Sequence, residues 1–300
     1  MTILENRYGK SRVRVARLIR QKDHHDFYEM TVGLRLEGDF HASYTLGDNT
    51  RVLPTDTLKN TVYALAKDDA VAQPESFGLL LARHFLNGNP QVTRVDVEVA
   101  QHPWARHGRF SFVAGGAHRR IAQVSCTRDA VTIDAGVTGY VLLKTSGSAF
   151  EGFLKDRFTT LAETRDRILS TSLDARWRYR GDDISWATSW HGVMKLITDT
   201  FAEHESASVQ HTLYAVGEAV IAECEHIENI RLTMPNRHYL LVNTEPLGVD
   251  NANEIFCPTD EPHGLIEAVI SRSHAAGDAA ASEIELQASV DRAHDADRRP

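Results

Sequence analysis

The stretch PESFGLLLARHFLNGNPQVTRVDVEV, residues 74–99, indicates how this chain folds. Its first part has apolar side chains at the spacing of one helix face, and the Asn-Gly-Asn-Pro run at 87–90 ends that helix. Residues 95–99 then alternate valine with a charged side chain, which is typical of a strand with one buried face. The sequence therefore predicts a helix that is followed directly by a strand.

Upstream, residues 10–20 and 27–36 predict a strand hairpin, because each run alternates apolar and polar side chains and a polar turn joins them. In the first strand this alternation puts Val13 and Val15 on one face. It puts Lys10 on the opposite face, together with Arg12, Arg14 and Arg20.

The same order of elements recurs along the chain. After Pro54, a helix with candidate N-caps at residues 55–57 completes a first unit of strands and helices. The later elements are predicted as strands at 119–127, 130–144 and 168–180, helices at 186–204 and 208–226, and a strand through 230–234. This repetition indicates two similar halves and an α+β fold, with an antiparallel sheet that carries paired helices on one face.

The composition argues against several classes of protein. The 300 residues include 33 Lys and Arg against 41 Asp and Glu, for a net charge of −8, so nucleic acid is a poor candidate partner. No apolar run approaches the ~20 residues that a membrane-spanning helix requires, and no secretory signal precedes the first strand. The cysteines, Cys126, Cys224 and Cys257, are widely spaced, which fits a reducing cytoplasmic compartment.

Length and the repeat together predict two domains, at residues 1–139 and 140–274. Residues 275–300 are rich in Ala and Asp and contain few large apolar side chains. They lack the material for a core, so we expect them to form a disordered or extended tail.

Seven short segments carry a resemblance to a known family. They are RYGK at 7–10, LPTDTLKNT at 53–61, SAFEGFLKD at 148–156, TTLAET at 159–164, DRILST at 166–171, SVQ at 208–210 and MPNRHY at 234–239. In this order and spacing they resemble the urate oxidase (uricase) family of bacterial type, from about Tyr8 to about Arg272. Each segment alone has an ordinary structural explanation, whereas their ordered occurrence together is specific.

The resemblance implies which side chains would bind the substrate. Arg167 would clamp a carbonyl and a ring nitrogen of urate. Gln210 would hold the opposite edge of the purine, assisted by the backbone of Val209. Phe150 would stack on the purine, and Leu161 would close the pocket.

The resemblance also implies the groups that would carry out the chemistry. Thr55 and Asp56 would meet the imidazole side of the purine from a neighbouring subunit. Lys10, Thr55 and His238 would relay protons, and Asn236 would hold oxygen or water above the ring.

The resemblance also implies an activity and an assembly. Urate, oxygen and water would give 5-hydroxyisourate and hydrogen peroxide without a metal or any other cofactor. The fold would be tandem tunnelling-fold (T-fold) domains, in a homotetramer that completes a barrel and has active sites at its subunit interfaces. The chain ends Arg298-Arg299-Pro300, without the Ser-Lys-Leu peroxisomal signal, so we expect a bacterial cytoplasmic protein.

Two alternatives belong to other functional classes. A metal-dependent T-fold enzyme acting on pterins or purines would use some of the 15 histidines, but HExxH and paired CxxC motifs are absent from the sequence. A purine-binding sensor would have kept the pocket and lost the proton relay. The presence of Lys10, Thr55 and His238 argues against a sensor.

Overall fold

One large sheet, with helices on one of its faces, makes up most of the chain that the computed structural model describes, residues 2–272. In chain order the strands are β1 (Arg7–Arg20), β2 (His25–Gly38), β3 (Val92–His102), β4 (Trp104–Arg106), β5 (Phe112–Ala114), β6 (Arg119–Thr127), β7 (Val131–Lys144), β8 (Leu169–Tyr179), β9 (Ile227–Leu241) and β10 (Phe256–Ser271). The helices are α1 (His41–Thr45), α2 (Thr55–Leu65), α3 (Pro74–Gly88), α4 (Trp186–Glu203) and α5 (Val209–Glu223), with 3-10 turns at Asp69–Ala72 and Glu245–Leu247.

The order of the strands shows two similar halves. Within residues 2–272, eight strands form the large sheet in the order β1-β2-β3-β6-β7-β8-β9-β10, and β4 and β5 form a separate hairpin. Each half has four of the eight strands, and each carries two long helices between its second and third strands. The predicted α+β class and the predicted internal repeat are confirmed.

The predicted domain boundary between residues 139 and 140 falls inside β7. The sheet passes through both halves, which lie within one compact unit that extends to Ile270. The division into two domains stays a prediction. The predicted tail, residues 275–300, lies outside the described residues.

A continuous apolar face crosses the sheet, because directly paired residues of neighbouring strands share a face. Leu34 pairs with Val97, Val97 with Val124, and Val124 with Ile133. All four are at most 1% exposed. Helix α3 lies on this face, since a Cβ added at Gly78 would stand 2.8 Å from the side chain of Val124. Burial of this face is the main source of stability for the sheet–helix packing.

The opposite face of the sheet is charged. Residues that alternate with the buried ones pair across neighbouring strands: Arg14 with Glu29, Arg35 with Glu98, and Arg178 with Asp134. One face therefore packs on helices while the other carries ion pairs, as the alternation of the sequence predicts for an antiparallel sheet.

Some elements depart from the sequence prediction. β10 was missed because most of its side chains are exposed and it contains Pro258 and Pro262, so it lacks the alternation of a half-buried strand. The helix predicted at 208–226 ends at Glu223. The candidate N-caps at 55–57 were wrong, because Pro54 holds the N-cap position of α2 and those residues form its first turn.

The predicted orientation of Lys10 was also wrong, for a local reason. Lys10 pairs with Leu34 but Val13 pairs with Val32, so β1 has one more residue than β2 between these pairs. This is a β-bulge, and Arg12 within it has a φ of 57°. The extra residue reverses the alternation, and Lys10 lies on the same face as Val13 and the helices.

Gly9, directly before the bulge, leads to a test of this geometry. A Cβ at residue 9 would lie 1.8 Å from the Leu34 carbonyl oxygen, so Gly9→Ala should push β1 away from β2 and destabilise the fold by ~1–3 kcal/mol. The control is Gly33→Ala, where the nearest atoms are 3.8 Å away and belong to the Glu98 side chain. Urea unfolding should separate the two variants; equal midpoints would contradict the close approach.

Candidate active site

The bulge and the start of α2 bring the candidate residues of the first half together. Hydrogen bonds from Lys59 and from the Asn60 amide, the latter at 2.9 Å, hold the Asp56 carboxylate. The hydrogen bond and charge of Lys59, with a smaller effect of the Lys10 charge, keep the pKa of Asp56 below its ordinary value. Thr55 precedes Asp56 on the exposed first turn of the helix.

A second contact fastens this helix start to β1. The Tyr8 hydroxyl, two residues before Lys10, accepts a 2.9 Å hydrogen bond from the Leu53 N–H, just ahead of α2. The Tyr8 ring packs edge-on against Phe40 at 4.8 Å. Tyr8 thus joins β1 to the residues just before α2. It holds the start of α2, which carries Thr55, beside the strand that carries Lys10. Sequence analysis did not assign Tyr8 this role, although the residue lies within the RYGK segment.

Arg167 dominates the second group of candidate residues. Its guanidinium lies 5.4 Å from the centre of the Phe150 ring. Burial lowers its pKa, and its buried Nε has no hydrogen-bond partner among residues 2–272. A half-buried Arg with an unused donor, beside an aromatic ring, is suited to a flat ligand with acceptor atoms on one edge.

Phe150 is held by its own backbone and by a neighbouring ring. Its N–H and carbonyl exchange hydrogen bonds of 2.7 and 3.1 Å with Thr164, closing a loop between these residues. Phe153 on this loop stacks on Phe150 with centroids 4.8 Å apart and ring planes at 14°. Leu161 lies on the same loop and is 60% exposed, so its predicted role in closing the pocket stays a prediction.

The start of α5 carries the next two candidates. Ser208 is the N-cap, and its side-chain oxygen accepts a 3.1 Å hydrogen bond from the His211 N–H. Val209 is buried and Gln210 is exposed. The first N–H groups of a helix have no helical acceptor and carry a partial positive charge, so this end of α5 favours an anion or a carbonyl oxygen.

Asn236 and His238 lie near the end of β9. Asn236 pairs with Thr171 of β8, on the face that the helices cover. A Cβ at Gly264 of β10 would lie 3.7 Å from the Asn236 Cβ. The Thr171 hydroxyl is fully buried without a hydrogen-bond partner among residues 2–272, so the space beside Asn236 has an unused polar group. Sequence analysis did not identify Thr171, although it is the last residue of the DRILST segment.

The two groups do not meet within one chain. Lys10 lies on β1 and His238 on β9, which are the first and seventh strands of the sheet. Neighbouring strands lie about 4.8 Å apart, so the two residues are separated by about 29 Å along the sheet. The structure brings together Lys10, Thr55 and Asp56 as one group. The other candidates lie in the second half of the chain, where Arg167 and Phe150 contact each other.

Two further findings concern other classes of function. Among residues 2–272, no group of three or more His, Cys, Asp or Glu side chains is arranged to hold a metal ion. In the same part of the chain, every helix is too short or too polar to cross a membrane. Cys126, Cys224 and Cys257, all within the described part of the chain, form no disulfide bond.

Comparison with known proteins agrees with this arrangement. The uricase family model matches residues 6–128 and 133–267. The uricase of Arthrobacter globiformis is 40% identical over 276 residues, covering 91% of each chain. That of Dictyostelium discoideum is 34% identical over 282 residues, covering 91% of this chain and 98% of the other. The crystal structure of the Arthrobacter globiformis uricase superposes with a TM-score of 0.89 at 39% identity, covering 93% of this chain and 97% of that one.

The family model covers most of both halves, including the segments that carry Lys10, Thr55, Arg167, Gln210 and His238. The superposition extends the agreement from sequence to the tandem T-fold architecture. The chain therefore belongs to the uricase family and is an oxidoreductase that acts on urate.

Proposed function

We propose that this protein oxidises urate with oxygen and water to 5-hydroxyisourate and hydrogen peroxide, without a cofactor, and that the residues around Arg167 bind the substrate. The reaction balances: urate loses two electrons, oxygen gains them with two protons as peroxide, and water supplies the hydroxyl group on the purine. The observation that carries the proposal is the half-buried Arg167, whose guanidinium lies beside the Phe150 ring and whose Nε has no hydrogen-bond partner in the described part of the chain.

Arg167 and Phe150 would recognise different features of urate. The planar fork of Arg167 can donate two parallel hydrogen bonds to a carbonyl and a ring nitrogen on one edge. The ring of Phe150 offers a flat surface for stacking. Gln210 and the Val209 N–H, at the start of α5, would hold the opposite edge, where the helix dipole favours negative charge.

Oxygen reacts slowly with most organic molecules because of its spin state, but an electron-rich anion can transfer an electron to it. A site for this reaction must therefore hold urate as an anion and remove its protons. Lys10, Thr55 and His238 would form the proton relay, with Asp56 beside them. Lys10 can serve as a base only if it loses its proton, directly or through the Thr55 hydroxyl.

Asn236 would hold oxygen or water above the purine ring. Its neighbour Thr171 supports this role, since a buried hydroxyl without a partner is costly unless a small polar molecule satisfies it.

The separation of the two groups supports a site shared between subunits. Residues about 29 Å apart along one sheet can serve one urate molecule only if a second copy supplies one group. β1 and β10 are the outer strands of the sheet within the described residues, so each can pair with another copy. We propose a homotetramer in which such pairing completes a barrel. Three cysteines that form no disulfide bond within the described residues are consistent with the proposed reducing, cytoplasmic location.

The first prediction concerns the cofactor. Protein treated with a strong chelator and then dialysed should consume urate and oxygen and release peroxide at the rate of untreated protein. An oxygen electrode combined with a peroxide assay measures this. Arg167→Ala protein, treated identically, gives the background. Activity that disappears and is then restored by zinc, copper or flavin would overturn the cofactor-free mechanism.

The second prediction concerns the shape of the Arg167 side chain. Arg167→Lys should lose at least about 10²-fold in kcat/KM for urate, on the order of 3 kcal/mol and almost as much as Arg167→Ala, because lysine keeps the charge without the fork. The matched control is Arg165→Lys, two residues away, where the side chain is 89% exposed and pairs with Glu151. A folded Arg167→Lys variant with near-normal efficiency would show that the charge alone suffices.

The third prediction tests the shared site. Thr55→Ala and Arg167→Ala should each be nearly inactive. After the two are mixed and refolded, about half of the two-fold pairs would be hybrids, each with one doubly mutated site and one intact site. Roughly a quarter of wild-type activity should therefore return.

The control mixture combines Arg167→Ala with Gln210→Ala, whose substitutions lie in the same half of the chain. Here every shared site keeps one mutation, so no activity should return. Mass spectrometry confirms hybrid formation in both mixtures. If the Thr55→Ala and Arg167→Ala hybrids form without recovery, each chain contains a complete site and the shared-site proposal is wrong.

A further inference from the structure

The segment that leads to Phe150, residues 146–150, is held from two sides. On one side it forms a parallel bridge with Ser206, which lies shortly before the start of α5. The Ala149 N–H donates to the Ser206 carbonyl at 2.7 Å, and the Ser206 N–H donates to the Gly147 carbonyl at 2.9 Å. On the other side it meets the residues just before β8, through Thr164 and Asp166. Phe150 therefore depends on two neighbouring segments for its position.

Asp166 makes the contact nearest to Arg167. One carboxylate oxygen accepts from the Gly147 N–H at 2.8 Å and from the Ser148 N–H at 3.4 Å, and the other accepts from the Ser146 hydroxyl at 2.8 Å. These bonds, that of Ser146 first, keep the pKa of Asp166 below its ordinary value. The Asp166 carboxylate therefore accepts its hydrogen bonds from the loop, while the Nε of the neighbouring Arg167 has no hydrogen-bond partner among residues 2–272.

Buried hydroxyl groups extend this network to α5. The Ser206 hydroxyl donates to the Ser208 carbonyl at 3.0 Å and accepts from the Thr212 hydroxyl at 2.7 Å. Ser206 and Thr212 are 4% and 0% exposed. Ser208 caps α5, so the segments that carry Phe150, Arg167 and Gln210 are joined through adjacent hydrogen bonds. We call the bonds of Asp166 and Ser206 to residues 146–149 the clasp.

We propose that Asp166 is a positioning residue, which sets the ring of Phe150 relative to the guanidinium of Arg167 so that a flat purine meets both groups at once. This rests on the proposed function. Arg167 follows Asp166 directly in the chain, and Phe150 lies two residues beyond the loop amides that Asp166 holds. Removal of the carboxylate breaks the direct hydrogen bonds between Asp166 and the loop, without removing either group that would contact urate.

The matched control is Asp156, on the loop between Phe150 and Thr164. Its carboxylate also accepts from a backbone N–H, that of Phe158 at 2.9 Å, and from the Thr159 hydroxyl at 2.9 Å. Its bonds stay within its own exposed turn and do not connect Phe150 with Arg167. Asp156→Ala therefore removes two hydrogen bonds of the same kinds, one from a backbone N–H and one from a hydroxyl, without breaking the clasp.

The experiment measures urate affinity without turnover, by equilibrium dialysis in the absence of oxygen, together with KM and kcat in air. Asp166→Ala should weaken urate binding and raise KM by ~10–100-fold, the scale expected when catalytic groups shift by about 1 Å. Asp166→Asn keeps an acceptor oxygen for the loop N–H groups, so it should restore affinity to within ~3-fold of wild type. Asp156→Ala should bind urate like wild type.

A double-mutant cycle distinguishes positioning from a general loss of stability. If Asp166 acts through Phe150, the double variant should lose less urate affinity than the product of the losses from Asp166→Ala and Phe150→Ala. Once the Phe150 ring is absent, its misplacement can cause little further loss. Losses that multiply, or equal losses in Asp166→Ala and Asp166→Asn, would overturn the positioning role.

Amide hydrogen exchange tests the clasp independently of urate. Asp166→Ala should speed exchange in residues 146–150 at least ~10-fold, while Asp156→Ala leaves that segment unchanged. Unchanged exchange would refute the clasp even if urate is oxidised. If Asp166→Ala speeds exchange but the wild-type protein neither binds nor oxidises urate, the clasp is confirmed. The proposed function and the role of Asp166 in urate binding are then both overturned.

Discussion

Neighbouring strands of a sheet lie about 4.8 Å apart, and in this protein Lys10 and His238 lie six strands from each other in one continuous sheet. This distance separates the group of Lys10, Thr55 and Asp56 from the candidates in the second half of the chain, which include His238 of the proposed proton relay. In the proposed mechanism, a site that needs both groups would therefore form between chains. The exposed outer strand β10 and the charged face opposite the helices support the same proposal, since the helices of one copy cover only one face of the sheet.

The chemistry proposed for this site depends on placing charge rather than on a reactive prosthetic group. The guanidinium of Arg167 and the N-terminal ends of α2 and α5 can each favour a substrate anion. Partial burial strengthens these interactions, because water no longer screens them fully. The Nε of Arg167 is buried and has no hydrogen-bond partner among residues 2–272. Such a donor is costly unless a ligand accepts a hydrogen bond from it, so this atom indicates a ligand site.

Much of this architecture could be predicted from periodicity. The alternation around Val97 and the helical spacing of α3 to α5 identified the sheet face and the helices that cover it. The site residues were identified in a different way, from the joint occurrence of seven segments, because each residue alone is compatible with an ordinary structural role. β10 escaped prediction because its side chains are largely exposed on both faces, so it carries no periodic signal.

The sequence by itself determined the α+β class, the repeat of strands and paired helices, and membership of the uricase family, because these depend on local periodicity and on motif order. Only the tertiary structure decided on which face Lys10 lies, since the bulge at Arg12 reverses the alternation and is visible only in the pairing with β2. It also decided the clasp, in which Ser206 meets Gly147 across about sixty intervening positions of the chain. Hydrogen bonds between segments so far apart depend on how the helices pack on the sheet, and no local pattern encodes them.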